Sequence, residues 1–195
     1  MKVNPKHLAL SFLGAGLLFT PLVFAHALGA HGAGFADGFA HPFLGLDHLL
    51  AMIAVGLWAA QMGGAARWRV PLAFLTVMAG GTLWANLGLG GTLVETAVAG
   101  SVLALGLLVA CAVRLSSFWS VLAVAAFALF HGYAHGLEMP EAASPTSYGL
   151  GFILATAVLH LAGIGLGLAA RQRRILIRLG GVAIAATGAL LLAGG

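Results

Sequence analysis

A chain of 195 residues that is 61% hydrophobic and 7% charged is not an ordinary soluble domain, where about a quarter of residues carry charge. The formal net charge of +4 does not point to nucleic acid, because the basic residues sit at the ends of apolar runs and form no basic stripe. A single cysteine, Cys111, excludes an internal disulfide and any Cys-cluster metal site, and its apolar surroundings predict a small core residue.

The first 25 residues read as a signal peptide. Lys2 and Lys6 give a charged start, Leu8 to Phe19 an apolar core, and Val23-Phe24-Ala25 the cleavage positions. Cleavage after Ala25 leaves His26 as the new amino terminus, dividing the chain into a leader, 1–25, and a membrane domain, 26–195. An uncleaved first helix is the alternative, and it leaves the downstream topology unchanged.

Six apolar spans follow: Pro42 to Met62, Val70 to Gly90, Leu93 to Val113, Phe118 to Leu137, Ser147 to Ala170 and Ile175 to Leu192. Runs of about 20 residues without a period of two are helices, since only helices and closed barrels satisfy their backbone in lipid. The predicted fold class is an all-α integral membrane protein with six transmembrane helices. The connections after spans one, three and five carry Arg67 and Arg69, then Arg114, then Arg171, Arg173 and Arg174, with Arg178 just inside span six. The other connections carry no Lys or Arg, so the positive-inside rule makes those three ends cytoplasmic and puts both mature termini outside. Trp58, Trp68 and Trp119 near the inner boundary, with Trp84, Tyr133 and Tyr148 near the outer, have the placement of interfacial aromatic belts. Gly80-Gly81, Gly100, Gly106, Gly163, Gly165, Gly167 and Gly180-Gly181 fall mid-span, where small residues let helices approach closely, and Gly163 to Gly167 has GxxxG spacing.

The grease is interrupted at His41 to His48, HPFLGLDH. In a helix that begins at Pro42, His41 caps the start and His48 falls two turns down the same face, beside Asp47. An aspartate inside a lipid-spanning helix costs roughly 2.5 to 3.5 kcal/mol. That cost argues for a partner, and two imidazoles with a carboxylate suit a metal ion. Span four ends FHGYAHGLEMP, so His131, His135 and Glu138, spaced i, i+4, i+7, stack in one column. At about 1.5 Å per residue, His48 and His131 each lie roughly 9 Å from the outer end of their span, and His160 roughly 20 Å in. The two clusters can therefore meet at one depth.

Imidazole and carboxylate without thiolate suit Ni, Co, Zn or Cu(II) and argue against Ca and Mg. The second nitrogen of a ligating imidazole wants a carboxylate or carbonyl, a role open to Asp47 and Glu138. The candidate metal residues are His41, Asp47, His48, His131, His135, Glu138 and His160. His26 joins them because, at a cleaved terminus, its α-amino group and imidazole can chelate together. Thr92-Leu-Val-Glu95 reads as a capping box, and Asp37 as a turn residue ahead of the first span.

The HPFLGLDH and FHGYAHGLE motifs, with the LHLAG around His160, resemble the HupE/UreJ family of nickel and cobalt permeases over essentially the whole chain. The family's H-x5-DH pattern falls on His41, Asp47 and His48, and its second motif on His131, His135 and Glu138. The resemblance implies a signal peptide, six spans, a bacterial cytoplasmic membrane, and uptake of Ni²⁺ or Co²⁺ to supply metalloenzymes such as hydrogenase or urease.

No GxxxxGK[ST] loop is present and the cytoplasmic connections are too short for a nucleotide domain, so secondary transport without a permanently bound cofactor is expected. The expected partners are the divalent ion and the bilayer. In this scheme His26, His31 and His41 line an outer vestibule, Asp47, His48, His131 and His135 hold the ion, and His160 receives it on the inward path. The competing reading is an intramembrane zinc-dependent hydrolase built on the same His/Asp cluster with an open water position. The arginine distribution makes a direct prediction. Reporter fusions after Gly64, Ser116 and Gln172 report cytoplasm, and fusions after Gly91, Ala143 and Gly195 report the outside; a cytoplasmic report at Ala143 overturns the topology.

Overall fold

Seven helices account for most of the described residues, with no strand among them. They are α1 Phe35–Leu44, α2 Leu46–Met62, α3 Ala66–Thr82, α4 Gly91–Ala110, α5 Ser117–Glu138, α6 Pro145–Ala169 and α7 Arg174–Gly194. The structure, a computed structural model, describes residues 34–85, 91–140 and 143–194. The helices belong to one unit, Ala33–Gly195; the leader, His26 and His31 fall outside the described residues. Four helices are long and apolar enough to cross a bilayer, at Leu93–Ala110, Ser117–Glu138, Pro145–Ala169 and Arg174–Gly194. The bent pair α1 and α2 makes a fifth candidate.

That bend corrects the reading of the first span as one helix capped by His41. Helix α1 runs through Pro42 to Leu44, the chain turns by 84° at Gly45, and α2 starts at Leu46. Gly45 is extended, with φ −87° and ψ 117°, and Pro42 upstream has no N–H to continue the helical ladder. His41 therefore lies in the last turn of α1 and His48 in the first turn of α2. Asp37 sits in the first turn of α1, where its Oδ2 accepts from the Gly34 N–H at 3.1 Å.

Helix α2 is the hub, packing on α3, α4 and α6. Three seams close the bundle, α4 on α7, α3 on α5 and α2 on α6, and each runs through glycine. A β-carbon on Gly132 would overlap the backbone of Met78, and one on Gly81 would meet Leu129 O at 2.7 Å. Gly56 and Gly163 face each other in the same way, and Gly106 and Gly181 press on Ala185 and Ala110. Gly167, the second glycine of the GxxxG, rests on Ala60. In contrast Gly80, Gly100, Gly165 and Gly180 have nothing within 4 Å of a β-carbon, so only some of the mid-span glycines are at contacts.

The far end of the bundle is locked by side chains that reach carbonyls at and just beyond the end of α4, where a helix terminus leaves acceptors short of backbone partners. Trp58 Nε1 donates to Val113 O at 2.8 Å, Gln61 Nε2 to Val109 O at 3.0 Å and Arg178 Nε to Ala110 O at 2.7 Å. Trp58 is thus fully buried and belongs to no interfacial belt; Tyr133 and Tyr148 are buried too, whereas Trp68, Trp84 and Trp119 are exposed as expected. Cys111 also departs from expectation. It is exposed, at the turn where Ala112 takes φ 52° and closes the end of α4.

Gly163 and Gly165 lie two residues apart on one helix and supply a matched test. Gly163→Ala pushes α6 off the backbone of Ile53 and Gly56 and costs about 1–3 kcal/mol, whereas Gly165→Ala is neutral or stabilises by up to about 1 kcal/mol. Thermal unfolding of the purified chain in detergent reads the difference.

Candidate metal centre

The break at Gly45 delivers His41 and His48 from two directions to the end of α5, where the i, i+3 pair His135 and Glu138 projects. His41, His48, His135 and Glu138 each offer one ligand atom, and these four atoms lie within 4.8 Å of one another. Glu138 Oε2 is the common point: it lies 3.0 Å from His41 Nε2, 3.7 Å from His48 Nε2 and 3.5 Å from His135 Nδ1. Around a tetrahedral ion with bonds of about 2.0–2.1 Å, ligand atoms sit roughly 3.3 Å apart. The three distances from Glu138 Oε2 bracket that spacing.

Burial is graded across the site. His48 and His135 are buried, His41 is 26% exposed and Glu138 49% exposed at the side chain. A cavity of about 460 Å³ between the ends of α3 and α5 and the start of α6 reaches His135, passing Met139, Thr146 and Tyr148. His48 Nδ1 and both nitrogens of His135 make no hydrogen bond within the protein. Leaving a buried polar atom unpaired costs about 1–3 kcal/mol, and a cation in the cluster would take the lone pair of one His135 nitrogen.

The remaining candidates occupy other positions. Asp47 lies behind His48 and outside the four: its Oδ1 accepts from the His48 N–H at 2.8 Å and stands 3.6 Å from His48 Nδ1. His131 is one turn deeper, its ring 5.1 Å from that of His48. There Ser101 Oγ donates its proton to Val98 O at 2.7 Å and so receives the His131 Nε2–H at 2.8 Å. This leaves the Nδ1 lone pair of His131 buried and without a hydrogen-bond partner. His160 is deeper again, behind the fully buried Phe74, whose ring contacts His131 at 5.6 Å and His160 at 5.2 Å between centroids. Both His160 nitrogens are unpartnered.

Ser101 and Phe74 are the residues that sequence reasoning missed. Each sits in an apolar run with no spacing or motif to mark it, and only the packing of α4 and α3 against α5 brings it to a histidine.

An all-helical, multi-pass membrane protein with a histidine-rich cluster at one end of its bundle defines the class. Comparison with known sequences defines the family. The profile described as "HupE / UreJ protein" matches residues 14–191. Protein HupE of Rhizobium leguminosarum bv. viciae is 44% identical over 182 residues, covering 92% of this chain and 95% of that protein. The chain belongs to the HupE/UreJ family. No solved structure matches it.

The Ser101 contact is testable on its own. Ser101→Ala strands the His131 Nε2–H in an apolar site and destabilises by about 1–3 kcal/mol, whereas Ser101→Thr keeps the hydroxyl and most of the stability; thermal unfolding of both variants checks this.

Proposed function

We propose that the chain is a secondary transporter, not an enzyme, that carries Ni²⁺ or Co²⁺ inward across the bacterial cytoplasmic membrane. The observation that carries this reading is the convergence of His41, His48, His135 and Glu138 at the end of the bundle opposite the arginines. These four hold the entering ion. Asp47 orients His48 and adds negative charge nearby, and His131, with its bare Nδ1, is the next station inward. His160 is the last, and His26 collects the ion at the cleaved outer terminus.

The family membership and the donor chemistry support nickel or cobalt; oxygen-only cations such as Ca²⁺ and Mg²⁺ do not suit three imidazoles. In this reading six spans cross the bilayer. The bent α1–α2 pair supplies the first and α3, at 17 residues, the second, at the lower limit of about 17–25 residues for a helical span. The arginine-bearing ends face the cytoplasm and the histidine cluster faces outward. The cavity beside His135 gives access from outside, and the buried Met52, Val55, Trp58 and Phe74 close the path toward the arginines. Such a state accepts an ion from outside and must rearrange around Phe74 to release it.

The driving force is at hand. A divalent cation moving inward gains about 2 × 2.3 kcal/mol per 100 mV, which at about 1.4 kcal/mol per decade is roughly a thousandfold accumulation.

The test is uptake of radioactive nickel and cobalt by proteoliposomes containing only this protein. His135→Ala and Glu138→Gln lower uptake by about 10- to 100-fold or more at submillimolar nickel, the scale on which even outer-shell groups alter metal affinity. Glu95→Gln, outside the four, stays near the parent. Parent rates and half-saturation in both site variants, present in normal amount, overturn the proposal.

A further inference from the structure

At the end opposite the histidines, five arginines from three separate segments line one cavity of about 670 Å³. Arg67 comes from the start of α3, Arg114 from the connection between α4 and α5, Arg171 from the connection between α6 and α7, and Arg174 and Arg178 from α7. No Asp or Glu is among the lining residues. Sidedness alone gathers arginines on one face, but it does not wrap guanidinium groups around one concavity. Arg69, two residues further along α3, and Arg173, on the connection before α7, stay off it.

Two features of the lining are those of a binding site. Arg67 Nε is buried and makes no hydrogen bond within the protein, and Gln61 Oε1 is a buried acceptor without a partner. Gln61 is held in place by its amide, which donates to Val109 O, and Arg178 by its bond to Ala110 O, so part of the wall is fixed before any ligand arrives. Guanidinium forks match the oxygens of phosphate, and a free acceptor suits a hydroxyl carried beside that phosphate. Trp68 and Trp119, exposed at this end, have the placement of residues at the depth of lipid headgroups.

We propose that this cavity binds a phosphate-bearing anion, either the headgroup of an anionic lipid from the adjoining leaflet or free phosphate from the aqueous side. Binding draws the ends of α2, α4, α6 and α7 together by neutralising charges that otherwise repel. It is independent of the transported ion.

The test uses the purified full chain in a neutral detergent, with the thermal unfolding midpoint followed as phosphatidylglycerol is titrated into the micelles. Inorganic phosphate is titrated in parallel, and phosphatidylcholine is the control. A saturable rise with phosphatidylglycerol or with phosphate supports the site, and whichever anion saturates is the source; phosphatidylcholine gives none. Arg171→Gln with Arg174→Gln weakens half-saturation by about tenfold or more, while Arg69→Gln with Arg173→Gln, the same loss of charge off the cavity, shifts it by no more than about twofold. If the first pair does not fold, Arg114→Gln alone carries the same expectation of weaker binding. Equal weakening by the lining and non-lining pairs, or no saturable effect of either anion, overturns the proposal.

Discussion

Backbone contact through glycine is the constraint on which the rest of this bundle depends. Lipid tails are as apolar as leucine, so helices in a membrane gain little from hiding apolar side chains against one another and are held by close packing and hydrogen bonds. Here Gly81 and Gly132 bring α3 onto α5, and Gly56 and Gly163 bring α2 onto α6. The histidines lie on these seams. His131 precedes Gly132, His135 precedes Gly136, and the carbonyl of His160 is the atom that a side chain on Gly56 would strike. The contacts that hold the helices are therefore also those that set the imidazoles in line. A larger residue on a seam would move a ring as well as a helix.

The third seam, α4 on α7, carries no histidine and does a different job. It brings Arg178 onto Ala110 O at the C-terminal end of α4, where Trp58 and Gln61 of α2 also reach the Val113 and Val109 carbonyls. A cation near a helix C-terminus is favoured by the helix dipole, so Arg178 stabilises this end twice, as a donor and as a charge. The two ends of the bundle are thus chemically opposed. One gathers imidazoles and carboxylates, and the other gathers guanidinium groups around a cavity without an acid.

Much of this was legible in the sequence, and what was not shares one cause. The helical character, the gathering of arginines between spans and the convergence of the first and fourth spans' motifs follow from composition, helical rise and spacing, although the rise sets His48 level with His131 and the structure brings it against His135 and Glu138. The face each helix turns to its neighbour does not, because in a membrane the lipid-facing side is as apolar as the packed side. Gly163 and Gly165 look alike in sequence, yet one touches backbone and the other nothing. Trp58 has the spacing of a belt residue for the same reason, and the break at Gly45 does not show in the sequence because a glycine in an apolar run reads equally as packing or as a bend. Ser101 and Phe74 reach their histidines only through tertiary contact. Spacing alone does not separate a ligand from a partner of a ligand at Asp47; in the first turn of α2 one of its oxygens accepts from the His48 N–H.

The break at Gly45 has an electrostatic consequence that an unbroken span would lack. A continuous helix from Pro42 would have presented only its N-terminal, positive end at this end of the bundle, which disfavours a cation. Because α1 instead ends just before α2 begins, a helix C-terminus is placed at the cluster, and His41 lies in its last turn. Helix α5 contributes a second, since His135 lies in the last turn of that helix and Glu138 is its final residue. Two negative helix ends and the Glu138 carboxylate then surround three imidazoles, while the positive start of α2 is met by Asp47 in its first turn. Neutral imidazole alone provides lone pairs but no charge. Here a field that favours a cation comes from the Glu138 carboxylate together with two helix C-termini, one of which the bend at Gly45 supplies.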